Sequence, residues 1–228
     1  MDSFLSLLQF ADGLFPAGAY AHSFGLEYYV QCGEVRDSAG VEEFLRAYLE
    51  GSAAPADAVA LMCAGRAGKA GDLAACIALD ETLNAMKTAS ELRDASRQMG
   101  RQTLRVANHL LGRHRVLTDF AEAVGNEVTP GHHPVVFGIV GGVIGWPPKE
   151  MVGAYLYSTS AALVGAALRL IPLGQLAGQR ILWNIRPLIA RLAADVQGKT
   201  QADMWTFAPA LEIAAMRHAS LDARLFRS

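Results

Sequence analysis

The amino-acid sequence predicts an all-α protein, a single-domain helical bundle of about eight to ten helices. Apolar residues recur at the spacings of three and four that mark one face of an α-helix. No segment shows the alternating, β-branched pattern of a half-buried strand bounded by turn residues. Neither an internal repeat nor a low-complexity tract divides the 228 residues, so we expect one domain over 1–228.

The first long helix is predicted from an apolar stripe near residue 45. Val41, Phe44, Leu45, Tyr48 and Leu49 follow one another at spacings of three and one, and charged residues lie off the stripe. Such a pattern buries one face of a helix and leaves the other in water.

The next long helix is predicted to begin near Thr88. Thr88 and Glu91 have the spacing of a capping box, in which each side chain bonds the backbone amide of the other residue. One face is then kept apolar for about five turns by Leu92, Ala95, Met99, Thr103, Val106 and Leu110.

Prolines and glycines mark the later helix boundaries. The prolines at 147–148 suit the first turn of a helix, where no hydrogen bond is lost. The sequence Pro-Leu-Gly at 172–174 predicts a break before the following helix. Pro187 is expected to kink or interrupt that helix, because it lacks a donor and crowds the preceding turn.

Two apolar runs raise the alternative of a small helical membrane protein. The run 151–168 has no charged residue and just reaches the length that spans a bilayer, whereas the run 135–146 is shorter. Both are rich in Ala, Gly, Ser and Thr, whose transfer into lipid is weakly favourable. We therefore expect a buried helical hairpin, in which the glycines at 138, 141, 142 and 145 allow close backbone approach.

Composition excludes several classes of function. A net charge of −2 argues against a nucleic-acid-binding protein, which would carry a basic excess. Three cysteines without CxxC spacing indicate reduced thiols in the cytoplasm, packed as small core residues. The N-terminal apolar run has no basic residues before it, so we expect no secretory signal.

No nucleotide or metal site is predicted. The segment 63–70 resembles a phosphate-binding loop, but Cys63 and Ala70 stand where that loop needs Gly and Ser or Thr. The pair His132–His133 could offer ring nitrogens to Ni²⁺ or Zn²⁺. No further ligand follows at helical spacing, so we expect this pair to cap the next helix or to bond nearby groups.

No catalytic residue and no cofactor are predicted either, although a hydrolase is a second alternative. Asp12, His22 and Ser23 would have to converge for that chemistry. Neighbouring residues in a helix point about 100° apart, which is unsuitable for a base and its nucleophile. We expect Asp12 to cap the turn before Pro16 and His22 to be hydrogen-bonded at a helix start.

Two features could bind protein partners. Arg93, Arg97, Arg101 and Arg105 share one arc of a helix, and this basic ridge is either a solvated face or a docking surface for an acidic partner. The C-terminal segment 207–228 is apolar between its basic residues, so it either packs on its own domain or binds another chain.

The segment 9–27 gathers polar and turn-forming residues within an otherwise apolar run, and it resembles the N-terminal signature of the UreF family of urease accessory proteins. The residues that carry the resemblance are Asp12, Pro16, Gly18, Tyr20, His22, Ser23, Gly25 and Glu27. Of these residues, Tyr20 stands where the family commonly has Phe. Gly13, Ala19 and Ala215 also depart from the family pattern, so no hydroxyl is available at 13 or 215.

The resemblance continues along the whole chain. The helix from Glu91 to Arg101 matches through Arg93, Ser96, Gly100 and Arg101. The turn from Arg169 matches through Pro172, Gly174 and Gln175. The segments 208–218 and 224–228 resemble the family's C-terminal region.

The resemblance implies a cytoplasmic nickel-insertion chaperone without enzymatic activity of its own. Such a protein forms a homodimer, binds neither nucleic acid nor membrane, and bridges the UreD/UreH scaffold and the UreG GTPase to deliver nickel to apo-urease. It could activate that GTPase or only position it. The partner-binding residues implied in this way are Arg93, Arg97, Arg101, Met216, His218, Leu221, Arg224, Leu225 and Phe226.

Overall fold

The computed structural model describes residues 2–112 and 114–228, and over these residues it is all-α, as the sequence predicts. Eleven α-helical segments are present, and no strand occurs in this part of the chain. The third and fourth segments are joined by a π-helical stretch without a break, so that ten separate helices result. Their buried apolar residues form one contiguous core.

The helices follow one another in a simple order. They are α1 (Asp2–Ala11), α2 (Leu26–Gln31), α3 (Ser38–Tyr48), α4 (Val59–Ala70), α5 (Leu73–Met86), α6 (Ser90–Leu110), α7 (Arg115–Gly125), α8 (His133–Ile144), α9 (Pro148–Leu170), α10 (Gln175–Asp195) and α11 (Pro209–His218). Short 3₁₀ turns occupy Ala19–Ala21 and Gln201–Asp203.

Helix α3 confirms the predicted stripe, since its four apolar stripe residues and the following Leu49 are all buried. The π-helical segment Leu49–Ala58 then continues the helix around Pro55. Its wider turns leave carbonyl groups free. Two of them accept from the chain that leads to α11, at 2.8 Å from Phe207 N to Gly51 O and 3.2 Å from Trp205 N to Pro55 O.

Glycines bring α8 close to α4, as the sequence indicates, but the partner helix differs from the expected one. A Cβ atom at Gly138 would lie 2.2 Å from Leu61 O, and one at Gly142 would lie 2.1 Å from Gly65 O. Only glycine permits this backbone contact. Helix α8 therefore packs mainly on α4, and α9 packs mainly on α10, instead of the two forming a hairpin with each other.

The segment that resembles a phosphate-binding loop lies within α4. Gly68 there rests against the backbone of Ile139, so its small size serves helix packing. Cys63 and Cys76 are buried as predicted, whereas Cys32 is exposed, contrary to the expectation of a core thiol.

Helix α9 is the only helix in the described residues that is long and apolar enough to cross a membrane by length and composition. Half of its apolar window is buried inside the fold. A core helix of a globular domain has the same properties, so the membrane alternative is not favoured.

The predicted capping box at the start of α6 is wrong. The helix begins at Ser90 and is preceded by Ala89. The Thr88 hydroxyl bonds the Glu212 carboxylate instead, and Glu91 faces His218. The buried face of α6 is also rotated relative to the predicted apolar face. Ser96 and its neighbours are buried, whereas Leu110 at the far end of the predicted face is exposed.

Pro187 does not interrupt α10, which runs through it from Gln175 to Asp195. A proline at this position leaves the carbonyl of Trp183 without its helical donor. The Arg186 side chain supplies one, with 3.3 Å from its Nε to that oxygen, while its guanidinium stacks on the Trp183 ring. This local contact explains how the helix continues.

Candidate functional site

The N-terminal signature loop binds the last residue of the chain. The amides of Ser23 and Phe24 lie 2.5 and 3.1 Å from the main-chain oxygen of Ser228, and the Ser23 hydroxyl lies 2.8 Å from the same atom. Left-handed backbone at Phe24 and Gly25 turns successive amides toward this one acceptor. Consecutive N–H groups in such a turn form a concave site for an oxygen ligand.

His22 takes part in the same contact through Nδ1, which lies 2.8 Å from the Ser228 hydroxyl. Burial, with a contribution from Arg227, lowers the pKa of His22 to about 4, so the ring is neutral near pH 7. Its Nε2 atom has no hydrogen-bond partner among the described residues.

Asp12 has a structural role, as expected from its place before the turn. Its Oδ1 atom accepts from the Leu14 amide at 2.7 Å. An aspartate that bonds its own backbone two residues on is typical of a turn. The Ser23 hydroxyl donates its hydrogen bond to Ser228 O. Asp12, His22 and Ser23 are therefore not arranged as a catalytic triad.

A buried histidine between two carboxylates fixes α11. His218 is fully buried, and its Nε2 lies 2.9 Å from Glu27 while its Nδ1 lies 2.7 Å from Glu91. Each carboxylate comes from a different element, Glu27 from α2 and Glu91 from α6. Both ring nitrogens therefore face carboxylate oxygens, which fixes the ring between α2 and α6.

Glu27 also holds the chain beyond α11. Its two oxygens accept from the amides of Leu225 at 2.7 Å and Phe226 at 3.1 Å. Burial by itself would raise the pKa of Glu27, but the two amides and His218 together lower it below its usual range. The carboxylate is therefore ionised and acts as a shared anchor for the C-terminal segment.

Cationic side chains complete this anchor. Arg224 lies 3.0 Å from Glu91, and Arg169 at the end of α9 donates to the Tyr20 carbonyl at 2.8 Å. The Arg169 guanidinium lies 3.7 Å from the centre of the Tyr20 ring and 4.2 Å from that of Phe226. It joins the signature loop to the C-terminal segment through cation–π contacts.

Close backbone packing seats α11 beside these contacts. Gly25 has a φ of 88°, and a Cβ atom there would lie 3.3 Å from Ala215 N. Together with the bonds of Glu27, this places the start of α2 against the middle of α11. The signature residues and the C-terminal segment thus form one unit, which we call the C-terminal anchor: His22, Ser23, Gly25, Glu27, Glu91, Arg169, His218, Arg224, Phe226 and Ser228.

The structure divides the predicted partner-binding residues of 207–228 into two groups. His218 and Phe226 are buried and make their contacts within this chain. Met216 and Leu225 have 51% and 61% of their surface exposed, and Leu221 is partly exposed. The self-docking alternative therefore describes the anchoring residues, while the outer residues remain open to a partner.

The basic ridge on α6 is divided in the same way. Arg93 donates to the Lys87 carbonyl at 3.1 Å, and Arg97 donates to the Asn84 side chain at 2.7 Å. Arg101 and Arg105 are exposed and make no ion pair with any residue in the described ranges. The far half of the ridge is thus the part presented to solvent.

A second buried polar cluster lies behind the ridge. Asp80 accepts from the Thr129 hydroxyl at 2.7 Å and from the amides of Gly131 and His132 at 2.6 and 2.7 Å. The His132 ring contacts Ser96 Oγ at 3.1 Å. Burial and three nearby cations lower the pKa of His132 to about 2, so the ring is neutral. His132 thus bonds nearby groups as expected, although its side chain does not cap α8, and His133 is the first residue of that helix.

Gly100 explains the close approach of α6 to this loop. A Cβ atom there would lie 2.0 Å from Gly131 O and 2.7 Å from His133 N.

No group of three or more metal-ligating side chains is found within the described residues.

The remaining family-signature residues shape turns. Gly18 has a φ of 90°, which favours glycine, and follows Pro16 in the signature loop. Pro172 and Gly174 lie between α9 and α10, and Gln175 is the first residue of α10. The predicted break at this position is confirmed.

Sequence reasoning missed Asp80. It is the buried acid of the apolar helix α5, next to exposed Glu81, and its three donors come from a loop about 50 positions further along the chain, at separations of 49, 51 and 52 residues. The only signal in the sequence was a charged residue on an otherwise apolar helix face, which indicates a satisfied buried group.

Fold and geometry together define a class of protein: an all-α domain whose N-terminal loop captures the C-terminal segment through buried polar contacts. A comparison with models of protein families matches UreF over residues 35–186. The chain is 33% identical to the urease accessory protein UreF of Bacillus sp. (strain TB-90), over 100% of both chains. It is 34% identical to that of Lachnoclostridium phytofermentans over 100% of both chains.

A third relative, the urease accessory protein UreF of Paenarthrobacter aurescens, is 34% identical over 98% of this chain and 97% of its own length. The chain therefore belongs to the UreF family of urease accessory proteins.

Proposed function

We propose that this chain is a non-catalytic bridging subunit of a urease maturation complex. In this role it binds the UreD/UreH scaffold and the UreG GTPase in the cytoplasm and acts on apo-urease through that complex. The names of its relatives, all urease accessory proteins, support the process. The C-terminal anchor supports the bridging role, since its contacts hold the last segment of the chain in place and leave the outer side chains of that segment exposed.

One observation carries the proposal: a rigidly anchored segment displays an exposed apolar strip. Ile213, Met216 and Leu225 have about half or more of their surfaces exposed, at 49%, 51% and 61%. His218, between Met216 and Leu225 in sequence, and Phe226, directly after Leu225, are buried and hold the segment in place. A surface that is already ordered loses little entropy when it binds, which favours affinity.

Cations surround this outer strip. Arg217 and Arg224 lie on the same segment and are at least partly exposed. Apolar side chains with an arginine rim are typical of protein-binding surfaces. We propose that this strip binds the UreD/UreH scaffold. The exposed half of the basic ridge binds an acidic surface on a second partner. We further propose that the complex contains two copies of this chain.

The proposal is tested by co-expression with the scaffold and the GTPase, followed by affinity purification and size-exclusion chromatography. The double substitution Met216→Glu, Leu225→Glu places charge on the strip without touching the anchor. We expect it to lower co-purification of the scaffold at least 10-fold, while the circular dichroism spectrum and melting temperature stay near those of the parent protein.

The matched control is Leu176→Glu, which charges an exposed leucine on α10, 75% exposed and outside the C-terminal segment. It should leave co-purification unchanged. Equal recovery of the scaffold with the double variant would exclude the strip as its binding surface. Point substitutions are preferable to removal of 219–228, because that deletion would also uncover the site that Phe226 and Ser228 fill.

A further inference from the structure

A cavity of about 320 Å³ lies inside the helical bundle, and neither the C-terminal anchor nor the proposed bridging role uses it. It is enclosed between the signature loop, α3 and α9, with Phe10, Phe24, Phe137 and Tyr155 among its apolar walls. Its mouth is marked by exposed Asp12, Gly13, Tyr20 and Tyr157. The volume lies in the range of small-molecule binding sites.

The inner wall of this cavity carries a compensated ion pair. Lys87 Nζ lies 2.7 Å from Asp57 Oδ1, and both side chains are largely buried. The Tyr155 hydroxyl lies 3.3 Å from the other oxygen of Asp57. Because one cation is paired with one anion, the wall has no net charge to attract an ionic ligand.

Two further polar groups on the wall lack partners in the protein. No hydrogen bond within the described residues reaches the Tyr48 hydroxyl or the ring nitrogens of His133, and both side chains line the cavity. Burial, with a contribution from Lys87, lowers the pKa of His133 to about 4, and burial raises that of Tyr48. Both groups are therefore neutral near pH 7, and each can donate and accept one hydrogen bond.

Polar groups that face a cavity without a protein partner are satisfied by water or by a ligand. At about 30 Å³ for each water molecule, the cavity has room for roughly ten of them. Eight of the 25 residues that line it are Phe or Tyr, so waters beside these rings would find few partners. Their displacement by a molecule with an apolar body and a polar head is favourable.

From this geometry we infer that the cavity is a binding site for a small neutral organic molecule, with a planar apolar body that packs between the aromatic walls and an amide-type head. The head group would accept from the Tyr48 hydroxyl and donate to a His133 nitrogen. Neither a carboxylate nor an ammonium would find a net opposite charge on this wall, and each would lose its hydration on entry. Neutral chemistry is thus selected over either ion.

The test uses the full chain and four probes of similar size: benzamide, benzoate, benzylamine and toluene. Binding is followed by isothermal titration calorimetry and by NMR chemical-shift changes of the described cavity residues. We expect benzamide to bind with a dissociation constant below about 1 mM, which suits a ligand of this size. The three other probes should bind at least 5-fold more weakly.

Two substitutions locate the site. Tyr48→Phe removes only the hydroxyl and should weaken benzamide about 3- to 10-fold, the value of one hydrogen bond, without lowering the melting temperature. Gly165→Leu should abolish binding, because Gly165 lines the cavity on α9 and nothing lies within 4 Å of an added Cβ. Tyr29→Phe, which alters a tyrosine outside the cavity wall, is the matched control and should bind as the parent protein does.

Three outcomes would overturn the inference: no shift of cavity residues with any probe, toluene binding as tightly as benzamide, or undiminished benzamide binding by the folded Gly165→Leu protein. None of these results bears on the bridging function, because the cavity and the strip of Met216 and Leu225 share no residue.

Discussion

His218 and Glu27 are 191 positions apart in sequence, yet their side chains meet at 2.9 Å inside the protein. Glu27 belongs to the signature loop region and His218 to the last helix, so this contact closes the chain on itself. Glu91 on α6 approaches the opposite side of the same ring. The two ends of the chain are therefore held by a buried polar triad and not by apolar packing alone.

The substitution His218→Ala should destabilise the protein strongly. It removes the group between two carboxylates and leaves both buried acids without their shared partner. Removal of one member of a buried ion pair commonly costs about 3–5 kcal/mol. Urea unfolding followed by circular dichroism would measure this loss of free energy of unfolding.

His109→Ala is the matched control for that measurement, since His109 is exposed on α6. Its unfolding midpoint should equal that of the parent protein. A midpoint for His218→Ala as high as the control's would show that the triad does not stabilise the fold.

Mild acid should destabilise the protein between pH 6.5 and 5. The pKa values of His22 and His133 are lowered to about 4 and that of His132 to about 2, in each case chiefly by burial. Below the ordinary value of 6.5 the unfolded chain binds protons on these rings that the folded chain does not. Stability therefore falls with falling pH, by about 4 kcal/mol per pH unit when about three protons are taken up on unfolding.

This slope can be measured by urea unfolding at a series of pH values. His132→Gln should reduce it by about one third, because one of the three linked protons is lost. His109→Gln, at an exposed site, should leave it unchanged. A flat free energy of unfolding from pH 6.5 to 5 would contradict the assignment of these three rings as neutral in the folded state.

Helix positions followed from the sequence wherever local periodicity decides them. The stripe of α3 was predicted because its apolar residues all face one core. The start of α6 was not, because the Thr88 hydroxyl finds Glu212, 124 positions away, in place of the nearby backbone amide. A long-range partner of this kind has no local signal in the sequence.

The anchor shows the same limit at the level of the site. The unusual composition of the signature loop drew attention to His22 and Ser23, but not to their partner, which is 205 or more positions distant. Similarly, the glycines of α8 predicted close helix contact, while the choice of α4 over α9 depended on the complementary Gly65. Residue types indicate what kind of contact is needed, and the fold decides with which residue it is made.

Gly100→Ala should destabilise the protein, although alanine is the better helix former. The added methyl group would overlap Gly131 O, which belongs to the backbone and cannot move without disturbing the loop bonded to Asp80. Overpacking of this kind costs about 1–3 kcal/mol. Thermal unfolding would report it as a lower melting temperature.

The control for Gly100→Ala is Gly153→Ala on α9, where an added Cβ meets nothing within 4 Å. Because no clash arises at position 153, alanine should stabilise the helix by about 0.5–1 kcal/mol. Opposite signs for the two changes are expected, and a stabilising effect at both positions would contradict the close approach of α6 to the loop.

Charge reversal on the exposed half of the basic ridge should weaken an acidic partner without unfolding the chain. Arg101 and Arg105 are solvent-exposed, whereas Arg97 bonds Asn84, so reversing Arg97 would disturb the fold as well. The pair Arg101→Glu, Arg105→Glu changes the local charge by four units, which acts mainly on the association rate and its salt dependence. We expect surface plasmon resonance with the GTPase to show slower association and a weaker effect of salt.

Arg115→Glu is the control for this charge change, because Arg115 is exposed on α7 and lies outside the ridge. If the ridge were only a solvated face, the double reversal would alter association about twice as much as the control, in proportion to their charge changes of four and two units. If the ridge docks the partner, the double reversal should slow association by more than 10-fold relative to the control at low salt, and the difference should shrink as salt screens the charges. The comparison therefore separates a specific contact from a general change in charge.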